Sequence, residues 1–440
     1  MSAIVEFPAA AEVQPYLDAF RSAAAEPLWL AGQRRRSLAR FAAYGFPSRR
    51  GEAWRYLDLR AHAEEPLLPV DAGRGARPFA VPGAAGFPDA AHRLVLADGR
   101  FAPELSNLAD LPAGIWLGAM TTAIAARPKL AAAALARPGG GGDEPFAALN
   151  GAFFTDGFVL EAAPGAIFDR PIEIVHLASG EVAGSLHTRS LVALGAGSRI
   201  RLCESYVGSG RYWRNDVLEL RLGAEAALDR TALVEEAEDA VHLATLGAEL
   251  GARARFAGFI LLLGGRTVRC EAHVNSVGEG AHCRLDGGFV AAGREEANIV
   301  TTVDHRAGRG ETRELFKGVA AGRAHGAFQG RITVHPGAQK IDAHMLSRNL
   351  TLGAQAAIDT KPELEIFADD VKCSHGAAVG DLDEAALFYL LARGIPRRDA
   401  RRMLIEAFVA EAIETVAPGP LRRHLSARLA RRLSALEDGA

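Results

Sequence analysis

Near the C-terminal end of the chain, the segment Asp369-Asp370-Val371-Lys372-Cys373-Ser374-His375-Gly376 places a thiol and an imidazole two residues apart. In an extended backbone that spacing puts Cys373 and His375 on one face, where a thiolate and a ring nitrogen can bind one metal ion. Two ligands do not close a zinc or cluster site, which takes about four, so the rest must come from elsewhere in the chain or from another subunit. The competing reading is a Cys and a His packed or hydrogen-bonded at a domain joint. The other thiols read differently. Cys270 and Cys283 share the apolar parity of their strands and are expected in the core. Cys203 shares the parity of Arg199 and Arg201, so it is expected to be less buried and stands as the second thiol candidate. His273 and His282 are expected at the surface or hydrogen-bonded.

Composition removes several classes of function. The chain has 440 residues with 50 Lys and Arg against 53 Asp and Glu, a net charge of −3 that gives no support to a nucleic-acid binder. Four scattered cysteines exclude a disulfide framework and fit a reduced, cytoplasmic setting. The N-terminus has no basic stretch followed by an apolar core, so no secretory signal is expected. The longest apolar run, Phe256 to Leu263, is far shorter than the roughly 20 residues that span a bilayer. A phosphate-binding loop is missing, which argues against an ATP site of the chain's own, and so are His-Glu-x-x-His, Gly-x-Ser-x-Gly and Cys-x-x-Cys. These absences favour a protein that is not an enzyme.

The elements that must position the Cys-x-His pair follow from periodicity. From about Ala11 to Ala43 apolar residues recur at helical spacing. A mixed Pro- and Gly-rich stretch follows, ending in Pro138-Gly139-Gly140-Gly141-Gly142, which reads as a loop or domain joint. After Pro145, short alternating segments recur behind Gly165, Gly195, Gly223, Gly251, Gly280, Gly310 and Gly337, roughly every 27 to 30 residues, a range typical of repeat architectures. Within them the period is two, as in Leu218-Glu219-Leu220-Arg221-Leu222. Strands at a fixed longer period without intervening helices predict a parallel β-helix, with glycine at corners that need positive φ. A β-sandwich or propeller is the alternative, disfavoured by the scarcity of hairpin signals. After Asp381, paired with Glu384 as a capping signal, three helices are predicted. The last carries Leu421, Leu425, Leu429, Leu433 and Leu436 on one face, expected to pack on the two preceding helices or to offer a partner-binding surface. The mixed-charge segment Ser48-Arg-Arg-Gly-Glu-Ala-Trp-Arg-Tyr56 reads as a structural anchor for the N-terminal unit.

Three stretches carry a family resemblance: Pro362-Glu-Leu-Glu-Ile-Phe-Ala-Asp-Asp-Val-Lys-Cys-Ser-His-Gly-Ala-Ala-Val-Gly380, continuing to Ile395; Pro47-Ser-Arg-Arg-Gly-Glu-Ala-Trp-Arg-Tyr56; and Phe146-Ala-Ala-Leu-Asn-Gly-Ala-Phe-Phe-Thr-Asp-Gly157. Together they resemble the SufD branch of the SufB/SufD family of iron–sulfur cluster assembly proteins. Ala343-His-Met-Leu-Ser-Arg-Asn-Leu350 departs from the family pattern at Met345-Leu346. The resemblance implies a mainly β protein, with a right-handed parallel β-helix core between N- and C-terminal α-helical units. The expected divisions are an irregular helical unit over 1–90, the β-helix over 91–370 and a C-terminal helical unit over 371–440. It further implies a cytoplasmic, non-catalytic scaffold that pairs with a SufB-type subunit through the β-helix end and docks a SufC-type ATPase on its C-terminal helices, with a homodimer in isolation. Cys373 and His375 would then face a transient iron–sulfur cluster shared with SufB. A SufB-type subunit is the nearest alternative. A polysaccharide-acting β-helix enzyme and a metal-buffering protein are more distant ones.

Overall fold

The computed structural model describes residues 11–20, 26–59, 64–70, 86–135, 144–181 and 183–438. The glycine run at 138–142 lies outside them. The helical periodicity near the N-terminus becomes two helices, Gln14–Ala19 and Leu28–Tyr44. Their buried Tyr16 and Phe41 join Phe46, Trp54, Phe146 and Trp213 in an aromatic cluster with mostly edge-on ring contacts.

From His92 to Gly380 the chain is a parallel β-solenoid. Successive strands alternate between two sheets, so each strand pairs with the one two places along. One sheet has ten strands, from the hairpin His92–Ala97 and Arg100–Phe101 to Lys372–Gly380. The other has nine, from Ile115–Ala119 to Ala357–Ile366. Outside that hairpin and the pair Ile115↔Ala162, all strand pairs are parallel. The solenoid therefore begins within the stretch whose sequence signals are mixed, before the regular repeats. The two-residue alternation holds: Leu218, Leu220 and Leu222, and Val268, Cys270 and Val274, all point into the lumen and belong to one continuous core.

The role expected of the repeated glycines needs correction. In the turn series of those glycines the positive-φ residues are Gly165, Gly197, Glu225, Arg253, Gly280, Arg309 and Lys340, so only Gly165 and Gly280 of the series hold that position, while at the other turns Gly180, Gly210, Gly265, Gly293, Gly322 and Gly353 do take it. Each non-glycine there accepts a cost of about 1 kcal/mol. Its N–H in return bonds the next rung, as Glu225 N to Ala252 O at 2.8 Å and Arg309 N to Gln339 O at 2.8 Å. Gly195, Gly223 and Gly251 are glycine because the turns stack too closely for a side chain. A Cβ at Gly195 would lie 2.5 Å from Pro164 N, and one at Gly223 2.9 Å from Ala196 N. The period stands; its cause is steric at Gly195, Gly223 and Gly251 and positive φ at Gly165 and Gly280.

Three helices close the chain: Glu384–Ala392, Arg397–Ile413 and Pro420–Asp438. The first is capped by Asp383, whose Oδ1 accepts from Ala385 N at 2.8 Å and Ala386 N at 3.1 Å, so the cap is two residues later than the Asp381 signal. The leucine face of the last helix joins Ile405 and Val409 of the preceding helix and the outer face of the ten-stranded sheet, at Leu233, Phe259, Leu261, Val290 and Val319, in one apolar cluster. Ion pairs cross the same seam, Arg428 Nε to Glu235 Oε1 at 2.8 Å and Arg432 to Glu295. The leucine stripe thus fastens the helices to the solenoid, where sequence alone left it open to a partner.

The steric account separates two glycines of the same turn series. Gly278→Ala would set a Cβ 2.0 Å from Ala252 N, whereas at Gly337 nothing lies within 4 Å. Gly278→Ala is expected to lower stability by about 2 kcal/mol or more, and Gly337→Ala by less than about 0.5 kcal/mol, in urea unfolding followed by circular dichroism. Equal effects would refute the stacking argument.

Candidate functional site

Cys373 and His375 lie on the last strand of the ten-stranded sheet, Lys372–Gly380. It pairs with Asp342–Leu352 on one side, and among the described residues no strand covers the other. The register sets Cys373 beside Ala343 and His375 beside Met345. Ala343 and Met345 are buried and face the lumen, so the two candidate donors project over the open end of the core. Cys373 is half-buried against that core, while His375, with no rung above it, is exposed. Burial pushes the Cys373 thiol up, the Ala343 amide partly opposes this, and the Asp342 charge reinforces it. The thiol is therefore protonated at neutral pH until a cation or a partner lowers its pKa.

The last strand of the second sheet, Ala357–Ile366, is equally uncovered at its outer edge among the described residues. Two braces hold this end in register. On the ten-stranded sheet, His282 Nδ1 meets Glu311 Oε2 at 3.1 Å, Arg313 bridges Glu311 and Asp342 at 3.1 and 3.0 Å, and His344 joins Asp342 Oδ1 at 2.9 Å to Ser374 Oγ at 2.5 Å. On the other, the segment Glu52–Trp54 acts as the anchor that its composition suggested. The Arg269 guanidinium lies 4.0 Å from the Trp54 ring centre and donates to Ala53 O at 2.8 Å, and Glu52 pairs with Lys361 of the last strand at 2.6 Å.

The Leu-Asn…Asp-Gly segment proves structural too. Asn150 Nδ2 donates to Thr188 O at 2.8 Å and Asn215 O at 2.9 Å, and Asp156 accepts from Thr121 N at 3.0 Å. Cys270 and Cys283 sit in the core as expected. Cys203 does not fit its exposed reading: it points outward but is buried among Leu233, Phe259 and residues of the C-terminal helices, which cover that face. His273 bonds Glu271 and His282 bonds Glu311.

Buried ionisable groups escaped the sequence reading, among them one cluster and one lone acid. Glu144, Glu271 and His273 meet where the helix Pro145–Phe153 begins. The Glu271 charge and burial hold the Glu144 carboxyl up to about 7, whereas Arg269 and His273 overcome burial and hold Glu271 at about 2. Two strands inside the open end, beside Met345 in register, Glu314 points into the lumen. Thr301 Oγ1 donates to its Oε2 at 2.8 Å, its Oε1 has no partner, and burial raises its pKa to about 8. The parity of Thr312, Glu314 and Phe316 was the available signal for a buried acid. Cys373 and His375 belong to neither three-donor group found among the described residues.

Comparison with known proteins follows these positions. The family description "SUF system FeS cluster assembly, SufBD core domain" matches residues 176–408, and "SufBD protein N-terminal region" matches 89–174. A SufBD family iron–sulfur cluster assembly protein of Synechocystis is 30% identical over 401 residues, 87% of each chain. The iron–sulfur cluster assembly protein SufD of Escherichia coli is 32% identical over 269 residues, 60% of this chain and 64% of that protein. The Bacillus subtilis protein of the same name is 31% identical over 163 residues, 37% of each.

The raised Glu314 carboxyl sets a pH dependence. Its folded pKa of about 8 lies above the 4.5 of a free carboxyl, so the folded state holds the proton more tightly and stability falls as pH rises from about 4.5 to about 8. Glu314→Gln is expected to flatten that decline, raising the melting temperature relative to wild type at pH 8.5 and less at pH 5. Parallel melting curves for the two proteins would mean that Glu314 is already ionised.

Proposed function

The chain belongs to the SufBD family of iron–sulfur cluster assembly proteins, and from that premise we propose that it is a non-catalytic, SufD-type scaffold subunit. The observation that carries this reading is an incomplete site at an incomplete edge. Two donors of metal-binding type, Cys373 and His375, face out of a lumen whose terminal strands leave backbone donors and acceptors open. Such an edge invites pairing with another chain. A SufB-type subunit laid across it would extend both sheets and supply the remaining ligands. The iron–sulfur cluster is cargo here, formed between the chains and passed on. Its positive iron would lower the Cys373 pKa and allow the thiolate to form. Relatives named SufD at 31 and 32% identity support this branch of the family over a SufB-type subunit. In isolation, a second copy of the chain is expected to cover the same edge.

The division of labour is an N-terminal anchor over 1–90, a scaffold that extends past the expected boundary at 370 through the strand Lys372–Gly380, and the helices from Glu384 onward as the docking unit for a SufC-type ATPase. With the leucine stripe engaged on the solenoid, Phe388, Tyr389 and Met403 remain exposed on the C-terminal helices and are the residues proposed for docking. Among the described residues no helix is long and apolar enough to cross a membrane, and the assembly is proposed to work in the cytoplasm.

Mixing the chain with SufB-type and SufC-type proteins is expected to give a stable ternary complex on size-exclusion chromatography, and a persistent monomer would overturn the proposal. His375→Ala should leave that complex intact and cut cluster yield about tenfold, on the scale of losing one ligand, read from the visible absorbance of the reconstituted complex. Cys373→Ser should be milder. Unchanged yield in His375→Ala would remove the residue from the site. Phe388→Glu with Tyr389→Glu should release the ATPase and retain the SufB-type partner.

A further inference from the structure

Deep in the lumen, far along the chain from the open end, His176, Glu204 and Asp216 come from three strands, Ile167–Ala178, Arg199–Gly208 and Trp213–Leu222. All three side chains are buried, and one potential ligand atom from each lies within 4.8 Å of the others. Neither ring nitrogen of His176 has a hydrogen-bond partner, and its Nε2 faces Glu204 Oε1 at 3.6 Å, beyond hydrogen-bond reach. Asp216 Oδ1 is also without a partner. A lumen cavity of about 60 Å³, lined by Asp216, Tyr206 and Arg230 but not by His176 or Glu204, adjoins the triad on the Asp216 side.

The charges and protons around this triad do not close. Arg230 pairs with Glu204, and Arg214 pairs with Glu236 at 2.5 Å, with His242 on the same carboxylate at 2.8 Å. Asp216 is then the third carboxylate against two guanidinium groups. The Tyr206 hydroxyl faces both Glu204 Oε1 at 3.0 Å and Asp216 Oδ2 at 2.9 Å. It has one proton for two carboxylates. Asp216 Oδ1 and both ring nitrogens of His176 are thus left as buried, unpartnered atoms aimed at one another's neighbourhood.

We propose that His176, Glu204 and Asp216 bind one divalent transition-metal ion inside the solenoid. One imidazole nitrogen with carboxylate oxygens suits zinc, ferrous iron or manganese. The ion would lie between strands of both sheets and tie the N-terminal rungs together. Since the triad is sealed, the metal enters as the chain folds. This site is separate from Cys373 and His375, and its function is structural.

The test uses the full chain, purified from cells supplied with zinc, iron and manganese, passed over a chelating resin and assayed by plasma mass spectrometry. The expected result is stoichiometric metal in wild type and in the Cys373→Ser, His375→Ala double variant, with loss of most of it in His176→Gln and Asp216→Asn at unchanged circular dichroism. Refolding wild type with cobalt(II) should give a visible ligand-field band. Wild type without bound metal and without that band overturns the proposal. Metal content unchanged in Asp216→Asn overturns it as well. Should either variant fail to fold, the wild-type metal content and cobalt spectrum decide. Loss of metal only from the Cys373, His375 variant would assign the ion to the open end instead.

Discussion

Parallel strands stacked in register, about 4.8 Å apart, constrain nearly everything else in this molecule. Each rung must place its backbone under the next without an intruding side chain, and this confines Gly195, Gly223 and Gly251 to glycine at the turns. The same stacking carries a turn-to-turn hydrogen-bond ladder, with Gly195 N on Ala162 O and Gly223 N on Leu194 O, both at 2.8 Å. A ladder of this kind satisfies every rung except the last. The open end of the solenoid is therefore a direct consequence of its architecture. Where stacking stops, open backbone groups and lumen-facing side chains remain, among them Cys373 and His375.

The lumen is not a uniform apolar core. Its N-terminal half holds Arg214, Arg230, Glu204, Glu236, Asp216 and the imidazoles of His176 and His242. Burial by itself would protonate Glu204, yet the Arg230 guanidinium beside it holds its pKa at about 2. Such pairs add little net stability compared with apolar residues of similar size. What they add is register, because a slip of one residue turns each charge to the opposite face and strands its partner. Toward the open end the polar content changes to single groups, such as Glu314 on Thr301, which stays neutral where no cation faces it.

Much of this was legible from residue types. The repeat and the period of two depend only on local order, so the solenoid and the shared face of Cys373 and His375 could be anticipated. The anchor role of Glu52-Ala53-Trp54 was also foreseen, although not that Trp54 would stack on Arg269. Errors arose where a distant element determined the outcome. Cys203 has the parity of an exposed residue, and only the returning C-terminal helices bury it. Asp381 and Asp383 carry the same capping chemistry, and the path of the chain leaving the last strand decides that Asp383 is the cap.

By itself the sequence determined the fold class, the strand period, the helical ends and the shared face of Cys373 and His375, because each is written in the spacing of side chains along one segment. Tertiary structure decided which glycines are sterically required, what the leucine stripe covers, how Glu144 comes to face Glu271, and which carboxylates share the lumen with His176. Those outcomes depend on distances between rungs and between units, and charge and volume act through space, where residues far apart in the chain become neighbours.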